Sequence, residues 1–317
     1  MKILLVGTPD VALKPFQALL ESEHEIVGVL TRPPAARGRS RKLIPSAVGK
    51  WAEEHNLPTW QADNLRAEEI QRQLIDSGAQ LGVVVAYGAL IPESLLAAFE
   101  YGFINLHFSA LPRWRGAAPV QRAIEAADET TATTVFQLET GLDTGPIYDT
   151  RIRSIEPDVD AGTLLQELSE IGARQLVDVV SSIEAGTANP QPQPEQGVTI
   201  APKITREELV IDVHAPATVI HNFVRARSPQ PGAYLWDGQQ RMKILATKPA
   251  ATKELKPGQL RATKKQVFMG TGEGDLELLT LAPAGKSKMA AADWARGARI
   301  GEGEKIFTTE PQADSKE

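Results

Sequence analysis

The densest group of polar side chains that could do chemistry lies in segment 103–124, FINLHFSALPRWRGAAPVQRAI. Asn105 and His107 alternate there with apolar residues, so on a β-strand both side chains project from the same face. A loop, 109–112, follows the predicted strand. Because ligands of doubly wound sheets bind at the carboxyl ends of the strands, we expect the Asn–His pair to point into a binding crevice.

A third candidate, Asp143, lies downstream in GLDTGPIY, between Gly141 and Gly145. An aspartate in such a turn often does no more than cap backbone amides, and a lone histidine on a strand is more often structural than catalytic. Spacing alone therefore leaves two interpretations open: Asn105, His107 and Asp143 are a catalytic trio, or they are unrelated structural residues.

Several other chemistries are excluded or not expected. The sequence has no cysteine, which excludes thiol nucleophiles, zinc ribbons and iron–sulfur clusters. Its five histidines form no HxH or HxxxH pair, so we expect no metal site. The first predicted strand is followed by GTPD, with one of the three glycines of a dinucleotide fingerprint, and no GxxxxGK[ST] loop is present. We therefore expect neither a nicotinamide cofactor nor ATP.

The elements that would position the candidate residues alternate between strand and helix in the first half of the chain. Apolar runs at 2–6, 25–30, 81–86 and 103–107 predict strands, and amphipathic segments between them predict helices. This alternation indicates βαβ units, hence an α/β domain with a doubly wound, mostly parallel sheet.

The second half of the chain follows a different pattern. The alternating Pro and Gln of 188–197 favour an extended, semi-rigid spacer. Beyond it we predict a short strand at 208–212, a helix, and several short strands with regular turns, which is typical of a small OB-like β-barrel. We therefore predict an α/β domain at 1–187, a Pro/Gln-rich linker at 188–205, the barrel domain at 206–309 and a disordered tail at 310–317.

The chain is acidic overall but contains two strongly basic segments. The net charge of −6 argues weakly against a nucleic-acid partner, yet the segment 31–42 contains five basic and no acidic residues. A second basic segment, 253–265, has a local charge of +4. Local charge matters more than net charge when the partner is a polyanion. Both segments are either nucleic-acid contacts or solvated loops.

The length of 317 residues indicates about two domains. No run approaches the ~18 apolar residues of a transmembrane helix. The amino-terminal residues lack the length and the cleavage site of a signal peptide. We expect a cytoplasmic protein.

The motifs together resemble one family. INLHFSALPRWRGAAPVQRAI, followed by GLDTGPIY, closely resembles methionyl-tRNA formyltransferases. The resemblance extends over nearly the whole chain through KILLVGTPD, RKLIPS, IHNFVRARSPQPGAY and AGKSKM…DWARG. Shorter relatives, such as glycinamide ribonucleotide transformylase, share the Asn…His…Asp set but lack the basic loop and the carboxy-terminal domain.

The resemblance implies formyl transfer from 10-formyltetrahydrofolate to the amino group of methionine on initiator tRNA, by a monomer with a formyltransferase-like Rossmann-type domain. It implies that Asn105, His107 and Asp143 are catalytic. It places the folate-contacting segment on Ser109, Ala110, Leu111 and Pro112. It places the tRNA-inserting loop on 32–44, with Arg39 as the best candidate among the basic residues Arg32, Arg37, Arg39, Arg41 and Lys42. Ala110 and Phe108 depart from the family pattern, which has a leucine and often a small residue there.

The three polar residues suit this chemistry. An amine that attacks a formyl carbon creates a tetrahedral oxyanion, and the Asn105 side-chain amide can donate a hydrogen bond to it; losing such a donor costs about 10²–10³ in rate. The attacking nitrogen must shed a proton and the folate nitrogen must gain one, and His107 can serve either step. We expect Asp143 to hold the imidazole in its orientation.

Two alternatives remain open at this point. The chain could act on another amine, such as an amino sugar or a purine precursor, or hydrolyse formyl-folate, but neither activity needs the basic loop or the barrel. It could also be a non-catalytic RNA-binding protein, which has no need of the polar trio.

Overall fold

The apolar strands of the first half collect in one sheet. The computed structural model of the chain describes residues 1–36, 43–300 and 305–311. The chain forms two compact units. The first comprises Met1–Pro119, Thr130–Ser154 and Leu165–Pro202, and the second comprises Val120–Glu129, Ile155–Leu164 and Lys203–Glu317.

The strands of the first unit are β1 (Lys2–Gly7), β2 (Glu25–Thr31), β3 (Ala35–Ala36), β4 (Leu43–Ile44), β5 (Thr59–Gln61), β6 (Leu81–Val85), β7 (Phe103–His107), β8 (Arg115–Gly116), β9 (Thr130–Gln137), β10 (Ile147–Ser154) and β11 (Ile200–Ala201). The helices along the same part of the chain are α1 (Leu13–Leu20), α2 (Ala47–Glu54), α3 (Glu68–Asp76), α4 (Glu93–Leu96), α5 (Pro119–Glu125) and α6 (Ala161–Glu184). Helices α5 and α6 contain residues assigned to both units.

Seven strands form the main sheet in the order β10-β9-β7-β6-β1-β2-β5. Strands β7, β6, β1, β2 and β5 run parallel, and β9 and β10 are antiparallel to their neighbours. All five residues of β6 are buried, as expected for a strand covered on both faces. The prediction of a doubly wound, mostly parallel sheet is confirmed.

The core beneath the candidate site is an apolar cluster on one face of this sheet. Phe103, at the start of β7, packs in this cluster with Val84 of β6, and its ring lies 4.7 Å from that of Phe99. Since side chains alternate along a strand, Asn105 and His107 share the face of Phe103. The apolar first half of β7 therefore anchors the strand, and its carboxyl end presents two polar side chains.

The second unit is built on an antiparallel sheet. Its strands are β12 (Ala233–Asp237), β13 (Gln240–Ala250), β14 (Leu260–Ala262), β15 (Val267–Gly270), β16 (Asp275–Pro283) and β17 (Met289–Ala290). The strand order is β12-β13-β16-β15-β14, with β17 paired to β16. The helices are α7 (Ala217–Arg227) and α8 (Ala291–Ala298). The prediction of a carboxy-terminal β domain is confirmed.

The two arginines near the end of α7 are internal to the second unit. Arg227 is 1% exposed and donates hydrogen bonds to the Glu208 carbonyl and the Glu125 carboxylate. Arg225 donates to the carbonyls of Glu156 and Val159. Both guanidinium groups are buried and are paired with backbone or carboxylate oxygens, so their role here is structural.

The strand predicted at 208–212 is wrong. Glu207–Leu209 forms a 3-10 helix, and Val210 forms one isolated bridge with Tyr234. The Glu208 carboxylate accepts a hydrogen bond from the Thr205 backbone N–H at 2.9 Å. The Leu209 N–H also donates to the Arg206 carbonyl, which closes a helical turn. This local turn prevails over the short apolar run at 209–211, which by itself favours a strand.

The Pro/Gln-rich segment has a property that its composition did not predict. Its residues up to Pro202 belong to the first unit. Gln191 forms a bridge with Ile147, and β11 pairs in parallel with β8. The segment is therefore hydrogen-bonded to other parts of the first unit. The predicted tail, 310–317, lies outside the described residues from 312 onward.

None of the helices in the described ranges combines the length and the apolar character needed to span a bilayer.

A buried carboxylate anchors the basic segment of the second unit. Asp275 is 0% exposed and accepts hydrogen bonds from Thr252 Oγ1 and from the backbone N–H groups of Glu254 and Leu255. Asp275→Ala leaves these three donors without their acceptor. We expect it to lower the free energy of unfolding by about 3 kcal/mol, measured by chemical denaturation of the full chain. The control, Asp293→Ala, removes an exposed carboxylate that pairs with Arg296, and a loss below about 1 kcal/mol is expected. Equal losses in the two variants would contradict the anchoring role.

Candidate active site

The carboxyl end of β7 places Asn105 and His107 at a cavity. Asn105 pairs in register with Val84 of β6 and Phe136 of β9, so its backbone is held by strands on both sides. Asn105 is half-buried and His107 is 5% exposed. The structure brings Asn105, His107 and Asp143 together, since all three line one cavity of about 700 Å³.

The walls of this cavity are mostly apolar. They come from β6 and the loop after it and from the segment that precedes Asp143; the apolar side chains include Val84, Leu90, Ile91, Leu96, Phe108, Leu138 and Leu142. Tyr87 also lines the cavity, and its hydroxyl donates a hydrogen bond to the Ala62 carbonyl at 2.7 Å. Burial raises the pKa of Tyr87 to about 12, so this phenol is protonated at neutral pH and does not serve as a base.

One ring nitrogen of His107 is fixed by the backbone. His107 Nε2 lies 2.9 Å from the carbonyl oxygen of Trp114. A carbonyl oxygen can only accept, so Nε2 carries the proton and donates. The imidazole also packs against the Phe136 ring, with the ring centroids 6.2 Å apart and the planes at 86°. The other ring nitrogen, Nδ1, is therefore the one left for proton transfer.

Asp143 faces that second nitrogen without bonding to it directly. Its Oδ2 lies 3.8 Å from His107 Nδ1, beyond hydrogen-bond distance. The same oxygen accepts the backbone N–H of Gly116 at 2.7 Å. The carboxylate is thus oriented by the backbone, and it is near enough to stabilise a positive charge on the imidazole.

The turn that carries Asp143 is tightly constrained. Asp143 has φ = +50°, a left-handed conformation that non-glycine residues adopt at a cost. A Cβ on Gly145 would lie 1.9 Å from the Gln137 carbonyl oxygen, so only glycine fits there. Gln193 donates hydrogen bonds to the carbonyls of Asp143 and Gly145, both at 2.8 Å.

Comparison with known proteins identifies the family. The Formyl transferase model matches residues 1–180, and the model for the Formyl transferase C-terminal domain matches residues 203–299. The methionyl-tRNA formyltransferase of Cutibacterium acnes is 46% identical over 315 residues, which cover 96% of this chain and 100% of that protein. The chain belongs to the methionyl-tRNA formyltransferase family.

Solved structures share the fold at lower sequence identity. HypX from Aquifex aeolicus in complex with tetrahydrofolic acid matches with a TM-score of 0.68 and 16% identity, over 100% of this chain and 50% of that longer one. A methionyl-tRNA formyltransferase from Clostridium thermocellum matches with a TM-score of 0.55 and 16% identity, over 80% of this chain and 95% of that one.

The family resemblance assigns folate contact to residues 109–112. This segment follows the cavity-lining residue Phe108 in the sequence, but it is not part of the cavity wall. Of the described residues Ser109, Ala110, Leu111 and Pro112, none lines the cavity, whereas Phe108 does. The segment forms a tight turn in which Ser109 Oγ donates to the Arg113 carbonyl at 2.6 Å. This turn leads the chain from His107 to Trp114.

The basic loop is described only at its ends. Arg37, Arg39, Arg41 and Lys42 lie outside the described residues. The flanking strands β3 and β4 pair with each other in antiparallel fashion. Arg32 is described: its Nε lies 2.6 Å from Asp63 Oδ1, and its Nη1 donates to the Gly88 carbonyl at 3.2 Å.

Sequence reasoning missed two residues near the site. Gln193 and Thr199 lie in the Pro/Gln-rich segment and hydrogen-bond to the backbone around Asp143 and Trp114. No periodicity or motif distinguishes them, because their partners lie about 50 and 85 residues away in sequence. Among the described residues, no cluster of three or more His, Asp or Glu side chains suits a metal ion.

Proposed function

We propose that the chain transfers a formyl group from 10-formyltetrahydrofolate to the α-amino group of methionine on initiator tRNA. The observation that carries the proposal is the convergence of Asn105, His107 and Asp143 on one cavity in a methionyl-tRNA formyltransferase family member. The name of the Cutibacterium acnes relative and the tetrahydrofolic acid bound by HypX support the two substrates.

The cavity suits a folate. Its volume of about 700 Å³ lies within the range of about 300–1,000 Å³ typical of small-molecule sites. Apolar side chains such as Leu90, Leu96 and Leu138 can pack against the flat aromatic rings of a folate. The polar trio lies together in the same wall. When bound, the folate supplies the formyl group that is transferred.

We assign proton transfer to His107 Nδ1. Nε2 is committed to the Trp114 carbonyl, so Nδ1 is the atom that can accept a proton from the attacking amine. The same atom can then return that proton to the folate nitrogen as the bond between this nitrogen and the formyl carbon breaks. The separation of 3.8 Å between Nδ1 and Asp143 Oδ2 leaves Nδ1 without a direct hydrogen bond to the carboxylate. Asp143 then stabilises the imidazolium that forms after proton transfer.

We assign oxyanion stabilisation to Asn105. Its side-chain amide is a neutral donor, and its strand backbone is paired on both sides, so little reorganisation is needed when negative charge develops on a nearby oxygen. A donor fixed in this way is worth more in a water-excluded site than in solvent.

We infer that the two domains have different roles. Residues 1–187 carry out formyl transfer, residues 206–309 contact the tRNA, and residues 188–205 join the two. The basic loop, with Arg32, Arg37, Arg39, Arg41 and Lys42, supplies further phosphate contacts. In 253–265 the charge is mostly positive, although Arg261 pairs with Glu254. We further infer that the turn of Ser109, Ala110, Leu111 and Pro112, which follows Phe108 of the cavity wall, contacts the part of the folate that extends beyond the cavity. We also infer that the protein is a cytoplasmic monomer that needs no metal, nicotinamide or ATP.

The proposal predicts a selective loss in a histidine variant. His107→Gln removes the proton acceptor, and we expect formylation of methionine-charged initiator tRNA to fall by about 10²–10⁴-fold. The assay follows formyl incorporation from 10-formyltetrahydrofolate, with free methionine and an amino sugar as competing acceptors. The matched control, His55→Gln, changes an exposed histidine and should keep the wild-type rate. Wild-type protein that formylates the amino sugar but not the tRNA would refute the proposal.

The proposed role of the basic loop predicts that a variant in it loses affinity for tRNA. Arg39→Ala should weaken binding of charged tRNA while the KM for 10-formyltetrahydrofolate stays constant, because the arginine neutralises a phosphate. The slope of log Kd for tRNA against log salt concentration should fall by about 1, measured by titration at several salt concentrations. Arg72→Ala, on the exposed face of α3, is the control. An equal loss of folate and tRNA binding would assign the arginine a structural role instead.

A further inference from the structure

We propose that two residues of the extended segment 191–201, Gln193 and Thr199, are positioning residues for the trio, because they hold the backbone that orients His107 and Asp143. The inference rests on the proposed function, since it assigns these residues to the same reaction. It extends the catalytic machinery into the segment between the two family-model matches, 1–180 and 203–299.

The burial pattern of the segment is the first observation. Within 191–200, Gln193 and Thr199 are the two residues that are partly buried, and the other eight are exposed. Val198 and Ile200 are 41% and 52% exposed. A strand held in place by apolar burial would turn its valine and isoleucine inward. Here the polar residues turn inward instead, so hydrogen bonding fixes how this segment lies on the unit.

Gln193 uses its full hydrogen-bonding capacity. Its Nε2 donates to the carbonyls of Asp143 and Gly145, both at 2.8 Å. Its Oε1 accepts from Arg115 Nε at 3.1 Å and from Arg115 Nη2 at 2.6 Å. Two donors and two acceptors are the complete set for a glutamine making these bonds. One side chain thereby joins the Asp143 turn to the strand that follows Trp114.

Thr199 acts on the residue that holds His107. Its Oγ1 accepts the backbone N–H of Trp114 at 2.9 Å, and its carbonyl accepts the N–H of Arg115 at 2.9 Å. Trp114 has φ = +63°, a left-handed conformation that a tryptophan adopts only when its surroundings enforce it. In that conformation the Trp114 carbonyl meets His107 Nε2. Thr199 therefore acts on the imidazole through one intervening residue.

Close backbone packing completes the arrangement. Strand β11 pairs with β8, and the carbonyl of Ala201 accepts the N–H groups of Ala117 and Ala118. Gly116 has φ = +121°, and a Cβ there would lie 2.8 Å from the Ala201 oxygen. Gly116 also donates its N–H to Asp143 Oδ2. The segment thus fixes the backbone donor of Asp143 as well as the backbone acceptor of His107.

The positioning role predicts an effect on turnover rather than on substrate binding. A displacement of about 1 Å in a catalytic group can cost about 10²-fold in rate. Thr199→Val and Gln193→Met keep the approximate side-chain size and remove the side-chain hydrogen bonds. We expect kcat for formylation to fall about 10–100-fold, with the KM for 10-formyltetrahydrofolate and for charged tRNA changed less than about twofold. Thr199→Ser retains the Oγ acceptor and should restore most of kcat.

The test uses the full chain, with Gln196→Met as the matched control because Gln196 is exposed in the same segment. Thermal unfolding of each variant identifies losses that arise from unfolded protein. A second readout is independent of activity: the ¹⁵N chemical shift of His107 Nε2, which should move in Thr199→Val and remain in place in Gln196→Met.

The outcomes separate the two proposals. Wild-type protein that does not formylate tRNA, with a His107 Nε2 shift that moves in Thr199→Val, would refute the proposed function and retain the positioning role. Active wild type with unchanged kcat and unchanged shift in folded Thr199→Val and Gln193→Met would overturn the positioning role. A Thr199→Ser variant no better than Thr199→Val would also overturn it.

Discussion

The hydrogen bond from His107 Nε2 to the Trp114 carbonyl is the interaction on which the rest of the site depends. It fixes which ring nitrogen carries the permanent proton and directs the other toward Asp143. It also requires the left-handed backbone at Trp114. Thr199 Oγ1 stabilises that conformation, because it accepts a hydrogen bond from the Trp114 backbone N–H. The orientation of the His107 ring therefore depends on the Trp114 backbone and, through it, on Thr199.

The site joins a rigid strand to constrained loops. Strand β7 is buried and paired on both sides, so the positions of Asn105 and His107 are set by the sheet. Asp143 lies instead in a turn whose close approach to the Gln137 carbonyl tolerates only glycine at position 145. The turn then adds a carboxylate whose distance from the imidazole, 3.8 Å, leaves Nδ1 available for a substrate proton.

The sequence predicted the features that depend on local periodicity. The bounds 103–107 of the strand that carries Asn105 and His107 match β7, because apolar alternation reports directly on a buried strand. The strand predicted at 208–212 is wrong, because a hydrogen-bonded helical turn at its start outweighs the short apolar run. Gln193 and Thr199 were missed, because a polar residue inside a Pro/Gln-rich segment gives no local sign that it bonds to a turn far along the chain. Composition identified the extended character of that segment and not its partners.

The tautomer of the neutral His107 ring decides whether Nδ1 is free to take a proton from the substrate. Two-dimensional ¹H–¹⁵N spectra of the ¹⁵N-histidine-labelled chain, recorded at a pH where the ring is neutral and assigned with His107→Gln, show which nitrogen is protonated. The structure predicts a protonated Nε2 and a bare Nδ1, because the Trp114 carbonyl can only accept. A neutral ring protonated at Nδ1, with Nε2 bare, would contradict the account, since the nitrogen proposed to take the substrate proton would already carry one.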